Sequence, residues 1–189
     1  MKMELSRLEI DGAWLINEEV HLDDRGYFRE WYVPRKLQGI PNYSFIPAQG
    51  NVSKSKIGVI RGLHYSVSKA GQEKWITCTR GKILDVILDV RLGSPTYGVS
   101  KIVELNESNG NSVYIENGIA HGFISMTNES LVTYLTSSTY SFEDEHTINP
   151  FDPEIRIQWP KMDYLLSERD KSAPTLSFQR GKGLLPWKK

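Results

Sequence analysis

Apolar residues in this chain alternate with polar ones far more often than they recur at helical spacing, and that period of two most narrows the folds open to it. In KWITCTRGKILDVILDV, residues 74–90, the period runs through Trp75, Thr77 and Thr79, breaks at Arg80-Gly81, and resumes with denser apolar content. Successive side chains of a strand point to opposite faces, so the pattern predicts two strands joined by a turn, a β-hairpin. SKIVEL, NSVYI, HGFISM and LVTYLTSSTY read as further strands, separated by Gly, Asn, Asp and Ser clusters at the spacing of an all-β sandwich or barrel. Helix is scarce, with short candidates at VPRKLQGI and at DYLLSERD, where Ser167 and Asp170 can cap or end a turn. The tail FQRGKGLLPWKK is expected to lie loosely over the body.

Whether such strands can close around a core depends on apolar content. Of 189 residues 39% are hydrophobic and 11% aromatic, enough for one globular body. Twenty-three basic residues balance 23 acidic ones, so no global field favours nucleic acid or an anionic membrane, and any anionic ligand needs local cations. The single cysteine, Cys78, excludes an internal disulfide and a cysteine zinc cage. The start MKMELSRLEIDG lacks the apolar run of a signal peptide, and no stretch is long and apolar enough to span a bilayer, so the expected location is the cytoplasm.

The stretch VIRGLHYS sets His64 on a strand with Arg61 three residues before it. Three readings of this histidine are open: a satisfied core residue, a metal ligand or a base. A histidine metal site in a barrel usually takes two histidines one residue apart plus a carboxylate. His64 has no such partner, and His121 in IAHGFIS stands alone too. Arg61 and Lys74 sit close by in sequence, and cations on apolar-flanked strands are costly unless an anion meets them.

DDRGYFREWY, QGNVSKSKIGVIRGLHYS, EKWITCTRGKILDVILDVRLGSPTYG, YIENGIAHGFIS, VTYLTSSTYSFEDEHTINPFDPEIRIQWP and LSERDKSAP follow one another in this order. The set resembles the dTDP-4-dehydrorhamnose 3,5-epimerase family over nearly the whole chain. The resemblance implies one cupin-type jelly-roll barrel, all β with a few short peripheral helices, spanning 1–189. It also implies a homodimer, no metal and no other cofactor, with the amino-terminal strand exchanged with the partner and the tail packed outside the barrel.

The reaction it implies is epimerisation beside a ketone, on a dTDP-linked 4-keto-6-deoxyglucose. A proton α to a ketone has a pKa of roughly 19 against about 6.5 for imidazole, a gap on the order of 17 kcal/mol, which no base closes alone. The enolate oxygen must be stabilised by a fixed cation or donor in a dry pocket. By resemblance His64 is the base, Asp170 orients it, Lys74 faces the C4 oxygen, and a tyrosine reprotonates from the opposite ring face. Tyr134 and Tyr140, six residues apart, would share a face of a regular strand. The resemblance favours Tyr134 as the acid, with Tyr140 lining the pocket.

His121 resembles a pocket residue near the dyad, with a structural role the alternative. Arg25, Arg61 and Arg169 match diphosphate contacts, and Gln49, Asn51, Phe28 and Glu30 match positions around sugar and thymidine, with Arg25, Phe28 and Glu30 reaching the neighbour's site. The chain departs from many relatives at Gly50, Tyr65 and Trp75, which are expected to touch the pocket wall. Some relatives invert only C3 or only C5. A sugar 3,4-ketoisomerase and a catalytically inert sugar-nucleotide binding module are the competing classes, and the complete set His64, Lys74, Tyr134 and Asp170 argues against the second.

Overall fold

The computed structural model describes residues 3–41 and 43–188. The first two residues of the amino-terminal stretch and the last of the tail lie outside them. The strands are β1 (Met3–Arg7), β2 (Ala13–Glu18), β3 (His21–Asp23), β4 (Gly26–Phe28), β5 (Gln49–Ser55), β6 (Ile60–Ser66), β7 (Lys74–Arg80), β8 (Lys82–Asp89), β9 (Ser100–Asn106), β10 (Ser112–Ile115), β11 (Ile119–Ser125), β12 (Ser130–Thr136) and β13 (Glu145–Thr147). A six-stranded sheet in the order β1-β2-β10-β7-β12-β5 faces a five-stranded sheet in the order β13-β6-β11-β8-β9, and the two form the walls of a cupin-like jelly-roll barrel.

The expected hairpin over residues 74–90 does not form. β7 pairs with β10 and β12, while β8 pairs with β11 and β9 in the opposite sheet. The turn at Gly81, whose φ of +73° suits glycine, carries the chain from one wall to the other. Eleven of the fifteen residues of the two strands are buried. A hairpin with one wet face cannot use so dense a pattern, whereas strands central to two covered sheets can.

Each strand therefore serves two cores. Between the sheets lie Ile76, Cys78, Ile83, Ile87, Val113 and Phe123. The outer face of the six-stranded sheet packs Trp75 and Tyr114 against Leu37, Ile40 and Phe45 of the amino-terminal segment. The outer face of the other sheet packs Leu63, Tyr65 and Leu88 against Ile155, Leu176 and Leu185. These two flanking segments are what let both sheets carry apolar residues on both faces.

VPRKLQGI forms only a 3-10 turn, Pro34–Leu37. In DYLLSERD the helix begins late: α1 (Glu168–Lys171) starts after Ser167, whose hydroxyl accepts from the Asp170 amide at 3.1 Å. The residues before it run extended, with Leu165 bonded to the backbone on either side of Val59. Sequence reading missed α2 (Leu176–Gly181), capped by Thr175. The tail is docked rather than loose. Leu185 is buried, the Tyr65 hydroxyl donates to the Leu184 carbonyl at 3.1 Å, and the Leu92 amide donates to the Pro186 carbonyl at 2.8 Å. No helix among the described residues is long and apolar enough to cross a membrane.

Candidate active site

Strand parity selects which side chains enter the barrel. Ile76 and Cys78 belong to the inter-sheet core, so Lys74, two residues earlier on β7, points inward as well. Thr136 lies opposite Lys74, Tyr134 opposite Ile76 and Asn51 opposite Tyr134. On the facing sheet His64 of β6 lies opposite His121 of β11. The interior is thus apolar at one end and polar at the other. There a cavity of about 450 Å³ is lined by His64, Lys74, His121, Tyr134, Arg61, Arg169 and Asp170. An adjoining space of about 180 Å³ shares His64, Lys74, Tyr134 and Arg169 and adds Gln49, Asn51 and Tyr140.

Two glycines let β6 and β11 close beside the histidines. A Cβ on Gly122 would sit 2.6 Å from the Arg61 carbonyl oxygen, and one on Gly62, where φ is +113°, would sit 2.7 Å from Gly122 Cα. The register between the strands shifts here, and the motifs RGLH and AHGF place each glycine within two residues of a pocket histidine.

His64 Nε2 lies 2.7 Å from Asp170 Oδ1. Burial would raise the Asp170 carboxyl, but hydrogen bonds from His64, the Ser167 hydroxyl and the Gly62 amide outweigh it and hold the group below its usual range. An ionised Asp170 fixes the proton on Nε2 and leaves Nδ1 with the basic lone pair. Lys74 is buried, and its Nζ donates to the His64 carbonyl at 3.4 Å. Burial lowers its pKa, while the charges of Glu145 and Asp85 act the other way. Tyr134 is pushed up by burial and by Glu145 against a smaller opposing effect of Arg61, so its hydroxyl stays a donor.

His121 forms a second pair, Nε2 to Asp85 Oδ1 at 2.6 Å, with Asp85 fully buried and raised by that burial. Arg61 donates to the Ser55 hydroxyl at 3.1 Å, and Arg169 to the Thr147 hydroxyl at 3.1 Å and the Glu145 carbonyl at 2.9 Å. Gln49 donates to Asn51 at 2.7 Å and accepts from the Tyr140 amide at 2.9 Å.

Ten of the expected site residues thus meet in one place. Arg25, Phe28 and Glu30 line neither space within this chain. Arg25 pairs with Asp23 at 2.5 Å, Glu30 with Lys36 at 2.6 Å, and the Phe28 ring is 60% exposed. Tyr140 reaches the pocket for a reason other than the one expected, because β12 ends at Thr136 and Tyr140 follows it, 55% exposed, outside the strand. Gly50, Tyr65 and Trp75 do not touch the pocket wall. Each is the immediate neighbour of an inward residue and so faces outward: Tyr65 and Trp75 are sealed in the outer cores, and Gly50 lies opposite Leu135, which packs on one of them.

Sequence reading missed Asp85 and Glu145. Asp85 had a signal, an acid between Ile83 and Ile87 at the inward parity of an apolar strand. Glu145, in the charged run FEDEH, had none.

The family model described as dTDP-4-dehydrorhamnose 3,5-epimerase matches residues 7–177. The chain belongs to this family. That makes it an isomerase of the epimerase type. A dTDP-4-dehydro-6-deoxyglucose 3-epimerase from a Streptomyces species is 43% identical to this family member over 95% of this chain and 92% of its own. A dTDP-4-dehydrorhamnose 3,5-epimerase from Streptomyces griseus is 41% identical over 95% of this chain and 90% of its own. The crystal structure of a 4-keto-6-deoxy sugar epimerase from the novobiocin biosynthetic gene cluster of Streptomyces spheroides matches with a TM-score of 0.95 at 41% identity, covering 99% of this chain and 94% of that one.

Proposed function

We propose that the chain epimerises dTDP-4-keto-6-deoxyglucose at C3 and C5 through an enolate, giving dTDP-4-keto-rhamnose. One observation carries this reading. A histidine oriented by a carboxylate enters the cavity from one sheet and a protonated tyrosine enters it from the other, with a buried lysine beside them. His64 Nδ1 takes the proton on carbon, the electron pair moves to the C4 oxygen next to Lys74, and the Tyr134 hydroxyl delivers a proton to the opposite face. The step leaves an imidazolium and a phenolate, and a proton passing back between them resets the site. Arg61 and Arg169 hold the diphosphate, with unused guanidinium donors on the cavity wall. Gln49, Asn51 and Tyr140 line the adjoining space around the sugar.

Incubation with this substrate in deuterated water, followed by NMR and reduction of the product, tests the assignment. Deuterium is expected at C3 and at C5, with rhamnose as the reduced sugar. Deuterium confined to C3 would support the single inversion named for the 43% identical relative, and deuterium at neither carbon would end the enolate reading. Lys74→Met should cut turnover about 10²- to 10³-fold, the usual cost of losing one oxyanion partner. Progress curves check this, and a loss well under tenfold would remove Lys74 from that role.

The site is completed in a homodimer, where Arg25, Phe28 and Glu30 reach the neighbouring pocket from an exchanged amino-terminal strand. The support is that β3 and β4 pair only with each other and expose Leu22 at 81% as well as Phe28. Co-refolding two inactive variants, Arg25→Glu and His64→Ala, should restore part of the activity, because a mixed dimer holds one intact site. No recovery in mixtures that do form mixed dimers would place the three residues outside catalysis.

A further inference from the structure

A second polar cavity, of about 230 Å³, opens at the amino-terminal end of β7 and takes no part in the chemistry above. Glu73 and Lys74 are neighbours on the chain, so their side chains diverge: Lys74 enters the barrel and Glu73 lines this other space. Glu73 is only 8% exposed, and its Oε2 has no hydrogen-bond partner. Glu116, Asn117, Ser66 and Trp187 share the wall, and Asn117 Oδ1 is unpartnered as well.

Arg91 also lines the cavity, but four of its five N–H donors are spent inside the chain. It grips both oxygens of Asp89 at 2.9 Å, reaches Glu116 at 3.4 Å, and donates to the Asp11 carbonyl. The wall thus carries two carboxylates, Glu73 and Glu116, against one guanidinium that is already held by Asp89 and the Asp11 carbonyl. Burial raises the Glu73 carboxyl; a hydrogen bond from Tyr114 opposes it, and the charge of Glu116 adds a smaller upward push, as expected of an acid lacking a cation.

A hard divalent ion wants six or more oxygen ligands with several carboxylates, and among the described residues no three His, Cys, Asp or Glu side chains converge. A cation carrying its own N–H donors matches two carboxylates, an amide oxygen and a serine hydroxyl better, and an indole at the rim suits it further. The volume lies below that of drug-sized pockets.

We propose that this cavity binds a small organic ammonium ion, whose N–H groups donate to Glu73 and Glu116 while the cation rests beside Trp187.

Putrescine and ethanolamine, titrated calorimetrically into the full chain, are the probes. Saturable one-to-one binding of either is expected, weakened about tenfold or more by Glu73→Gln. No saturable binding of either amine, binding indifferent to Glu73→Gln, or displacement of the amine by equimolar Mg²⁺ would overturn the proposal. Should Glu73→Gln fail to fold, the Trp187 indole N–H resonance of the unaltered chain decides, assigned by its loss in Trp187→Phe. A saturable shift on adding putrescine supports the site, and an unmoved resonance sinks it.

Discussion

His64→Ala is expected to abolish solvent proton exchange at both C3 and C5, with turnover down at least about 10³-fold, the scale of losing a positioned general base. The size of the effect follows from the surroundings. Asp170, the group that orients the ring, is only 4% exposed and keeps its bonds to the Ser167 hydroxyl and the Gly62 amide once the bond from His64 is lost. His121 forms the same kind of pair with Asp85, Nε2 to Oδ1 at 2.6 Å, so any residual exchange in the variant would point to its Nδ1. NMR in deuterated water reads the result directly. Exchange near the native rate in a folded His64→Ala variant would mean that another group removes the proton.

Asp170 lies 106 residues from His64, and no spacing in the sequence foretells their meeting. Resemblance supplied that pairing, and the local physics becomes visible only in the fold: Leu165 bonds along the backbone at Val59, α1 starts at Ser167, and Asp170 falls against the ring. The strand content was legible because period-two alternation survives burial, but strand pairing was not. Residues 74–90 alternate equally well as a hairpin or as a crossover between sheets, and only the covering segments at the two ends of the chain decide for the crossover.

The same parity that reveals strands could have removed Tyr65, Trp75 and Gly50 from the pocket wall, since each adjoins an inward residue. It could also have drawn Asp85 into the site. Glu145 lay beyond reach, because β13 is three residues long and offers too little pattern to assign a face.

Proton removal and proton delivery are expected to belong to different residues on facing walls, a division that Tyr134→Phe in deuterated water would expose. The substitution removes one hydroxyl from a ring packed against the inter-sheet core, so the fold is expected to stand. His64, Asp170 and Lys74 remain, and the enolate still forms on their side. With no acid on the opposite face, the imidazolium, after exchanging its proton with solvent, can only return a deuteron to the face it came from. Deuterium should therefore enter the starting sugar with configuration retained, while inversion falls at least about 10³-fold, the scale of losing a positioned general acid. Equal loss of deuterium uptake and of inversion would contradict this, and would make Tyr134 part of the set that stabilises the enolate.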